Sequence, residues 1–280
     1  MTDSKNYETL SERIVLFRSA INQPDLVINL DAESATGDGS DTIKNFEKII
    51  GGSGSDIIKA KAGATINVFD GGVNGNDTVS YEYYTDSVTV DLSKENLTQM
   101  VQSGDIDTLR NIDNVIGSQA ADILTGSSSN NTIKGGLGND TIYSSAGDDL
   151  IEGDTNVGGA DTVNYLSESQ KIVVTTSADG LTYTVVKNSG GTDILKTIEE
   201  IWGSNFDDND VNTLEDTFVG GSLADTFKAG AGDDKLTGAG GNDSLYGDGG
   251  NDSFVVSGAS DGSDVINGGS GSDTIDYSAI

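Results

Sequence analysis

A nine-residue phrase recurs along most of the chain and limits what the chain can fold into. Its clearest copy is GGLGNDTIY at residues 135–143. Copies follow one another in strict phase from Gly117 to Glu152 and again from Val211 to Val255, and isolated copies lie elsewhere from Thr36 onward. The sixth residue is almost always aspartate and the eighth a large apolar residue. Such a period predicts a stack of short units, because one unit cannot bury its single apolar residue alone.

Each part of the phrase has a physical reason. Glycines at the first, second and fourth places permit a positive φ and a tight turn. The last five residues alternate polar and apolar side chains, which indicates a very short β-strand. One phrase therefore makes a turn and a strand, and two phrases make one coil. The predicted fold is all-β, with right-handed parallel β-roll or β-solenoid blocks separated by wider β-coil inserts.

The sixth-place aspartates are the predicted metal ligands. Turns two phrases apart should stack, which places Asp122 near Asp140, and likewise Asp225 near Asp243 and Asp234 near Asp252. Carboxylates this close repel, and a hard cation with six to eight oxygen ligands would neutralise them. Calcium suits such a groove better than magnesium, which demands stricter octahedral geometry. The predicted ligands are Asp41, Asp56, Asp77, Asp122, Asp140, Asp149, Asp161, Asp193, Asp216, Asp225, Asp234, Asp243, Asp252, Asp264 and Asp273.

The phrases GGLGNDTIY, GAGGNDSLY and GGSGSDTID resemble the calcium-binding nonapeptides GGxGxDxUx of the repeats-in-toxin (RTX) family, where U is a large apolar residue. A single turn rich in Asp and Gly would be weak evidence, whereas two runs in strict phase are specific. The resemblance extends from about Thr36 to the end of the chain. It implies several bound calcium ions, and export of a large bacterial protein by the type I route.

Some copies depart from the pattern. Asn131 replaces the aspartate in GSSSNNTIK, and Thr65 stands at that place in AKAGATINV, so both turns should bind calcium weakly or not at all. Three further copies lack the fourth-place glycine, and their loops are less suited to present carbonyl ligands. Their aspartates, which we expect to be weaker ligands than Asp140, Asp243 and Asp252, are Asp122, Asp216 and Asp225.

A longer period overlies the short one. The phrases DTIKNFEKIIG, DTLRNIDNVIG and DILKTIEEIWG, which begin at Asp41, Asp107 and Asp193, align residue for residue. The chain begins and ends partway through this longer unit, which predicts an excerpt of a larger protein. The predicted segments are a cap helix with a partial first unit (1–35), first repeats (36–80), a β insert (81–116), a repeat block (117–164), a second β insert (165–210), and a repeat block with the truncated start of the next unit (211–280).

Only the start of the chain has a helical pattern. Thr9 and Glu12 have the spacing of a capping box, and Leu10, Ile14 and Phe17 fall on one face before Pro24. This helix would cap the end of the stack. A membrane-surface anchor is the alternative, which the few basic residues disfavour.

The composition of the chain excludes or disfavours several classes of function. The net charge of −31 disfavours nucleic-acid binding and a compact metal-free state. The chain has no cysteine, so disulfides cannot staple it, and no run of about 20 apolar residues that would insert in a membrane. Residues 1–20 lack the apolar core of a secretory signal. No histidine is present, which excludes a Ser-His-Asp triad and an HExxH zinc site. Because cysteine is absent as well, the chain lacks the usual ligands of zinc, copper and iron.

The predicted function is that of a non-enzymatic calcium-binding segment that folds and stiffens in extracellular calcium. It would be a structural part of a secreted bacterial surface protein, such as an adhesin stalk or a surface-layer component. The alternative is an accessory module of a secreted enzyme, as similar repeats accompany proteases, lipases and polysaccharide epimerases. Calcium is the predicted partner, with cell-surface polysaccharide and other copies of the chain as candidates, and the expected location is extracellular or on the bacterial cell surface.

Overall fold

The computed structural model describes residues 7–9, 12–16, 25–37, 39–63, 67–153, 160–177, 180–205, 216–257 and 261–278. These residues form short β-strands joined by tight turns, with a single 3-10 turn at Leu92–Lys94. The chain divides into two compact units, Met1–Asp140 and Thr141–Ile280, called here the N-terminal and C-terminal units. The predicted all-β fold with parallel stacked strands is confirmed.

The N-terminal unit contains strands β1 to β15. Their bounds are β1 Tyr7–Thr9, β2 Glu12–Leu16, β3 Val27–Asn29, β4 Ser34–Thr36, β5 Ser40–Thr42, β6 Lys48–Gly52, β7 Ile57–Lys59, β8 Asn67–Gly72, β9 Thr78–Ser80, β10 Thr89–Asp91, β11 Thr98–Gln102, β12 Asp105–Arg110, β13 Asn114–Ile116, β14 Ile123–Thr125 and β15 Thr132–Lys134. One sheet has the order β1-β2-β6-β8-β12-β11, a second has β5-β4-β3-β7-β9-β13-β15, and β10 pairs with β14.

The C-terminal unit contains strands β16 to β29. Their bounds are β16 Thr141–Tyr143, β17 Leu150–Glu152, β18 Thr162–Asn164, β19 Ile172–Thr176, β20 Thr182–Lys187, β21 Thr192–Lys196, β22 Glu200–Trp202, β23 Thr217–Val219, β24 Thr226–Lys228, β25 Lys235–Thr237, β26 Ser244–Tyr246, β27 Ser253–Val255, β28 Val265–Asn267 and β29 Thr274–Asp276. One sheet runs β16-β18-β22-β24-β26-β28, and the other runs β17-β21-β20-β19-β23-β25-β27-β29.

Parallel pairing joins successive coils, and antiparallel hairpins mark the inserts. In the repeats, β24 pairs with β26 so that Phe227 lies beside Leu245. In the second insert, β20 lies between β19 and β21 and is antiparallel to both. In the first insert, β11 and β12 form an antiparallel pair whose second strand joins β8 in parallel. The inserts therefore widen the coils without interrupting the stack inside each unit.

The core is a column of eighth-place side chains. Each lies at the middle of a three-residue strand and is at most 2% exposed, as the alternating pattern predicts. These residues are Ile58, Val79, Val115, Leu124 and Ile133 in the N-terminal unit, and Ile142, Ile151, Val163, Phe218, Phe227, Leu236, Leu245 and Phe254 in the C-terminal unit. Ile275 in β29 is 43% exposed, because among the described strands β29 pairs with β27 alone.

The helix predicted near the N-terminus is wrong where the structure describes that segment. Tyr7–Thr9 and Glu12–Leu16 are strands that pair with each other in antiparallel fashion, and Ile14 to Leu16 pair in parallel with Lys48 to Ile50 of β6. The β-branched Ile14 and Val15 suit a strand, and pairing with β6 outweighs the weak local helical pattern. Residues 10, 11 and 17–24, with the predicted helix end at Pro24, lie outside the described residues. Within the described residues, no helix has the length and apolar character needed to cross a membrane.

Candidate metal sites

The sixth-place aspartates of stacked turns form ladders of hydrogen bonds. In each step, one aspartate donates its backbone N–H to a carboxylate oxygen of the next coil, and inside the repeat blocks this acceptor is the Oδ1 of the aspartate 18 residues later. These steps confirm the predicted stacking: Asp122 to Asp140 at 2.8 Å, Asp225 to Asp243 at 2.9 Å, and Asp234 to Asp252 at 3.0 Å. One oxygen of each accepting carboxylate is therefore stabilised by a backbone donor of the neighbouring coil.

The second carboxylate oxygen, Oδ2, lies toward the aspartate's own turn, and in several turns it accepts a hydrogen bond there. The Ser118 N–H donates to Asp122 Oδ2 at 2.5 Å, and the Gly221 N–H donates to Asp225 Oδ2 at 2.8 Å. Asp216 Oδ2 likewise accepts from the Ser204 N–H at 2.6 Å. The phrases of Asp122, Asp216 and Asp225 lack the fourth-place glycine, but the same contact also occurs in a phrase that has it, where the Gly52 N–H donates to Asp56 Oδ2 at 2.6 Å.

The turns of Asp243 and Asp252 provide no donor to this oxygen. Asp243 and Asp252 are each 1% exposed, and the Oδ2 of each has no hydrogen-bond partner among the described residues. A Cβ added at Gly238 would overlap Asp243 Oδ2, and one at Gly247 would overlap Asp252 Oδ2. Burying a carboxylate oxygen without a partner is costly. A bound cation would supply the partner that these two oxygens lack, and glycine is needed beside them because a larger residue would overlap them.

Backbone carbonyls must supply part of the ligand set. No group of three or more His, Cys, Asp or Glu side chains that could hold a metal lies within the described residues. The Cβ position at Gly247 is also only 2.6 Å from the Gly268 carbonyl oxygen of the next coil. A carboxylate oxygen and a carbonyl oxygen thus converge at the first-place glycine, and calcium accepts both kinds of ligand.

Burial raises the pKa of the aspartates in these turns. It raises the pKa of Asp243 and of Asp252 to about 6, and neighbouring carboxylates add to the shift. Burial also raises the pKa of Asp77 to about 7, with Asp56 and Asp113 contributing. Below about pH 6, the metal-free turns of Asp243 and Asp252 therefore hold protons that a bound cation would displace.

The metal-free protein should become less stable as the pH rises. The folded pKa of these aspartates lies above their ordinary value of 3.8, so their contribution to stability is complete below about pH 3.8 and is lost as the pH rises through 6 to 7. Urea unfolding in chelator, from about pH 4 to pH 8, should show a falling free energy of unfolding. In saturating calcium the slope should reverse, because protons then compete with the ion. If the free energy of unfolding changed with pH in the same way in chelator and in calcium, these aspartates would not be the calcium ligands.

Most other predicted ligands also lie in the ladders. Asp56 donates its N–H to Asp77 Oδ1 at 2.7 Å, and Asp216 donates to Asp234 Oδ1 at 2.8 Å. Asp149 accepts from the Ser145 hydroxyl at 2.8 Å. At the C-terminal end, Asp264 accepts from Asp243 at 3.0 Å and Asp273 accepts from Asp252 at 3.1 Å, and Asp273 is exposed.

Two predicted ligands have different surroundings. Asp41 is exposed in β5, which runs antiparallel to β4. Asp193 lies in β21, where its Oδ2 accepts from the Tyr165 hydroxyl at 2.9 Å and its Oδ1 accepts from Lys187 Nζ at 2.7 Å. The tyrosine contact recurs in the first insert, where Tyr81 donates to Asp107 Oδ2 at 2.8 Å. In both inserts, a buried tyrosine therefore donates a hydrogen bond to the aspartate that begins the aligned long phrase, Asp107 in β12 and Asp193 in β21.

The sequence reasoning missed two ladder carboxylates. Asp77 donates its N–H to Asp113 Oδ2 at 2.8 Å, and Asp161 donates to Glu199 Oε2 at 2.8 Å. Asp113 and Glu199 occupy the same place in the aligned phrases DTLRNIDNVIG and DILKTIEEIWG. Asp113 also precedes Asp122 by one phrase length, a signal that could have found it despite the absence of glycines.

Asn131 closes its turn without a carboxylate. Its Oδ1 accepts from the Ser127 N–H at 2.6 Å, and its Nδ2 donates to the Asp113 carbonyl at 2.6 Å. The amide nitrogen thus contacts a carbonyl directly. That this turn binds calcium weakly or not at all stays a prediction. Thr65, the other predicted weak position, lies outside the described residues.

Comparison with known families decides what these turns are. The model of the RTX calcium-binding nonapeptide repeat matches four segments, at residues 47–65, 113–154, 219–254 and 259–279. The chain contains RTX calcium-binding nonapeptide repeats. RTX repeats form parallel β-rolls and bind several calcium ions, which are the cofactors predicted from the aspartates. A comparison with curated proteins finds no match to the chain.

The matched RTX segments contain most of the ladder aspartates. Asp243 and Asp252, with their unpartnered oxygens, fall in the third segment, and Asp113 falls in the second. The predicted ligands outside the four segments are Asp41, Asp77, Asp161, Asp193 and Asp216. This chain is therefore a calcium-binding structural repeat region, with its RTX segments separated by inserts.

Proposed function

We propose that this chain folds and stiffens when calcium fills its RTX turns, and that it serves as a structural segment of a secreted bacterial surface protein. The unpartnered, buried Oδ2 atoms of Asp243 and Asp252 carry the proposal. Both oxygens lie beside glycines in stacked turns and have no hydrogen-bond donor, and at Gly247 a carbonyl oxygen of the next coil lies close as well. The ligands in these turns are the Asp243 and Asp252 carboxylates together with turn carbonyls.

The residues link folding to calcium through electrostatics. Without a cation, the buried carboxylates and the net charge of −31 oppose the stacked state. Calcium supplies positive charge and accepts the oxygen ligands that the turns present. Extracellular modules bind calcium with dissociation constants of about 0.1–1 mM. Each filled site would stabilise the folded state by about 1 kcal/mol at a few-fold excess of calcium, because the unfolded chain lacks the site.

A structural role follows from where the stabilising contacts lie. Within each unit, every ladder step joins one coil to the next, so filling the turns strengthens the stack along its length. The proposal places the protein outside the cell, where calcium reaches about the millimolar range, after export by the type I route. The accessory-module alternative uses the same calcium-dependent stack, and no contact in the described residues favours it over the structural role.

Replacing single carboxylates tests which residues bind calcium. Asp243→Asn and Asp252→Asn should each reduce the number of bound ions measured by isothermal titration calorimetry, because each removes a buried Oδ2. Each should also lower the free energy of unfolding in calcium by on the order of 1 kcal/mol.

Asp233→Asn is the matched control. It removes the same charge from the same block, but the Asp233 side chain bonds Asn251 instead, with Oδ1 accepting from the Asn251 N–H at 2.7 Å. It should keep the wild-type number of ions. The ligand assignment fails if Asp243→Asn and Asp252→Asn bind as much calcium as Asp233→Asn.

A further inference from the structure

A buried lysine, Lys187, lies inside the C-terminal unit. Lys187, the last residue of β20, is 2% exposed, and the structure leaves none of its side chain accessible. Its Nζ is 2.7 Å from Asp193 Oδ1 and 3.8 Å from Asp149 Oδ2. It also donates to the Ser145 carbonyl oxygen at 2.5 Å. A lysine is almost never fully buried unless it is paired.

These partners are the kinds of ligand that the calcium turns present. Asp149 and Ser145 are the sixth and second residues of the repeat SSAGDDLIE, and Asp193 belongs to the next coil of the same sheet. The Asp149 N–H donates to Asp193 Oδ1 at 3.1 Å, which is the ladder step seen between RTX turns. The ammonium thus contacts a turn carbonyl and two carboxylates of successive coils.

The equivalent place in the first insert has no lysine. Asp107, which aligns with Asp193, accepts from the Asn67 side-chain amide at 2.9 Å and from Tyr81 at 2.8 Å. Asp193 has the corresponding tyrosine but an ammonium in place of the amide. The lysine is therefore particular to the coil in which a repeat turn and an insert strand stack through Asp149 and Asp193.

We propose that the Lys187 ammonium replaces a calcium ion at the Asp149–Asp193 step, so that this coil closes without calcium. Asp149 and Asp193 then act as partners of the lysine and not as calcium ligands. The coil would remain folded in chelator as an edge onto which β23, β25 and β27 stack when their turns fill. This inference deepens the proposed function and depends on the other turns being the calcium sites.

Lys187→Met tests the proposal, because methionine keeps an unbranched side chain and removes the charge. In chelator, the amides of β21, Thr192–Lys196, should lose their slow hydrogen exchange, since two buried carboxylates are left without a cation. In a calcium titration, Lys187→Met should bind one more ion than wild type, and calcium should restore the slow exchange of β21.

Lys196→Met is the matched control. Lys196 is 45% exposed and pairs with Glu152 at 3.1 Å in the same sheet, so its loss should change neither the exchange of β21 nor the ion count. The double variant Lys187→Met/Asp193→Asn removes both charges and should return to the wild-type ion count. It therefore keeps the test valid if Lys187→Met alone folds poorly.

The outcomes separate this inference from the proposed function. A Lys187→Met protein that matches Lys196→Met in chelator exchange and in ion count would overturn the role of Lys187. A wild-type protein that binds no calcium would overturn the proposed function. In that case the exchange of β21 in chelator would still decide whether Lys187 closes the coil.

Discussion

Chelation of calcium should unfold the C-terminal repeat block, residues 216–278, and calcium at about 10 mM should restore it. The turns of Asp243 and Asp252 lose the cation that their buried oxygens require, and a domain that is stable by only about 5–15 kcal/mol is sensitive to several losses of this kind. Circular dichroism should show a cooperative rise in β signal with calcium. The same titration with magnesium is the control, and it should leave the signal near that of the chelated protein.

Stretching single molecules would test the structural role at the same time. In calcium the C-terminal block should resist extension and unfold at a measurable force, and in chelator it should extend as a flexible chain. A block that is fully folded in chelator, with no change in force when calcium is added, would leave its acidic turns in need of another explanation.

Gly241→Ala should be among the most destabilising single substitutions in the repeats. Gly241 is the fourth residue of GAGGNDSLY and has a φ of +139°, which residues other than glycine rarely adopt. A Cβ there would also overlap the Leu223 carbonyl oxygen of the preceding coil. Urea unfolding in calcium should show a loss on the order of 3 kcal/mol or more, because strained φ and steric overlap add. Calcium affinity should fall as well.

Gly190→Ala separates the cost of the positive φ from the cost of the steric overlap. Gly190 has a φ of +123°, but no atom lies within 4 Å of where its Cβ would be. Its replacement should cost only the conformational part, about 1–2 kcal/mol. Equal losses for Gly190→Ala and Gly241→Ala would show that close stacking of the turns is not what requires glycine at the fourth place.

The nine-residue period was sufficient to predict the repeat fold. A phase of two phrases per coil placed Asp122 beside Asp140, and the alternation around the eighth place put Phe227 and Leu245 in the core. These features follow from the sequence because each depends only on spacing that repeats along the chain. The fourth-place glycine did not by itself predict which Oδ2 lacks a donor, because Asp56 Oδ2 accepts from the Gly52 N–H although its phrase has that glycine.

The aligned long phrases contained more information than the period alone. Asp113 and Glu199 share one place in them, yet without glycines they do not match the turn pattern. In the N-terminal segment, by contrast, a local pattern was present but predicted the wrong structure. Its local spacing of apolar residues is helical, whereas Ile14 to Leu16 pair with Lys48 to Ile50 of β6, a distant segment that local spacing does not reveal.

The sequence by itself determined the strand and turn of each repeat, the stacking interval, the apolar column and the need for calcium, because local conformation and a fixed period specify all of them. Only the tertiary structure decided how each carboxylate is neutralised. Lys187 pairs with Asp149, which is 38 residues earlier in the chain, and Tyr165 donates to Asp193, which is 28 residues later. The second insert makes both contacts possible, and the repeat pattern does not specify its length. Such contacts depend on which coils the inserts bring together, and that is a property of the folded chain alone.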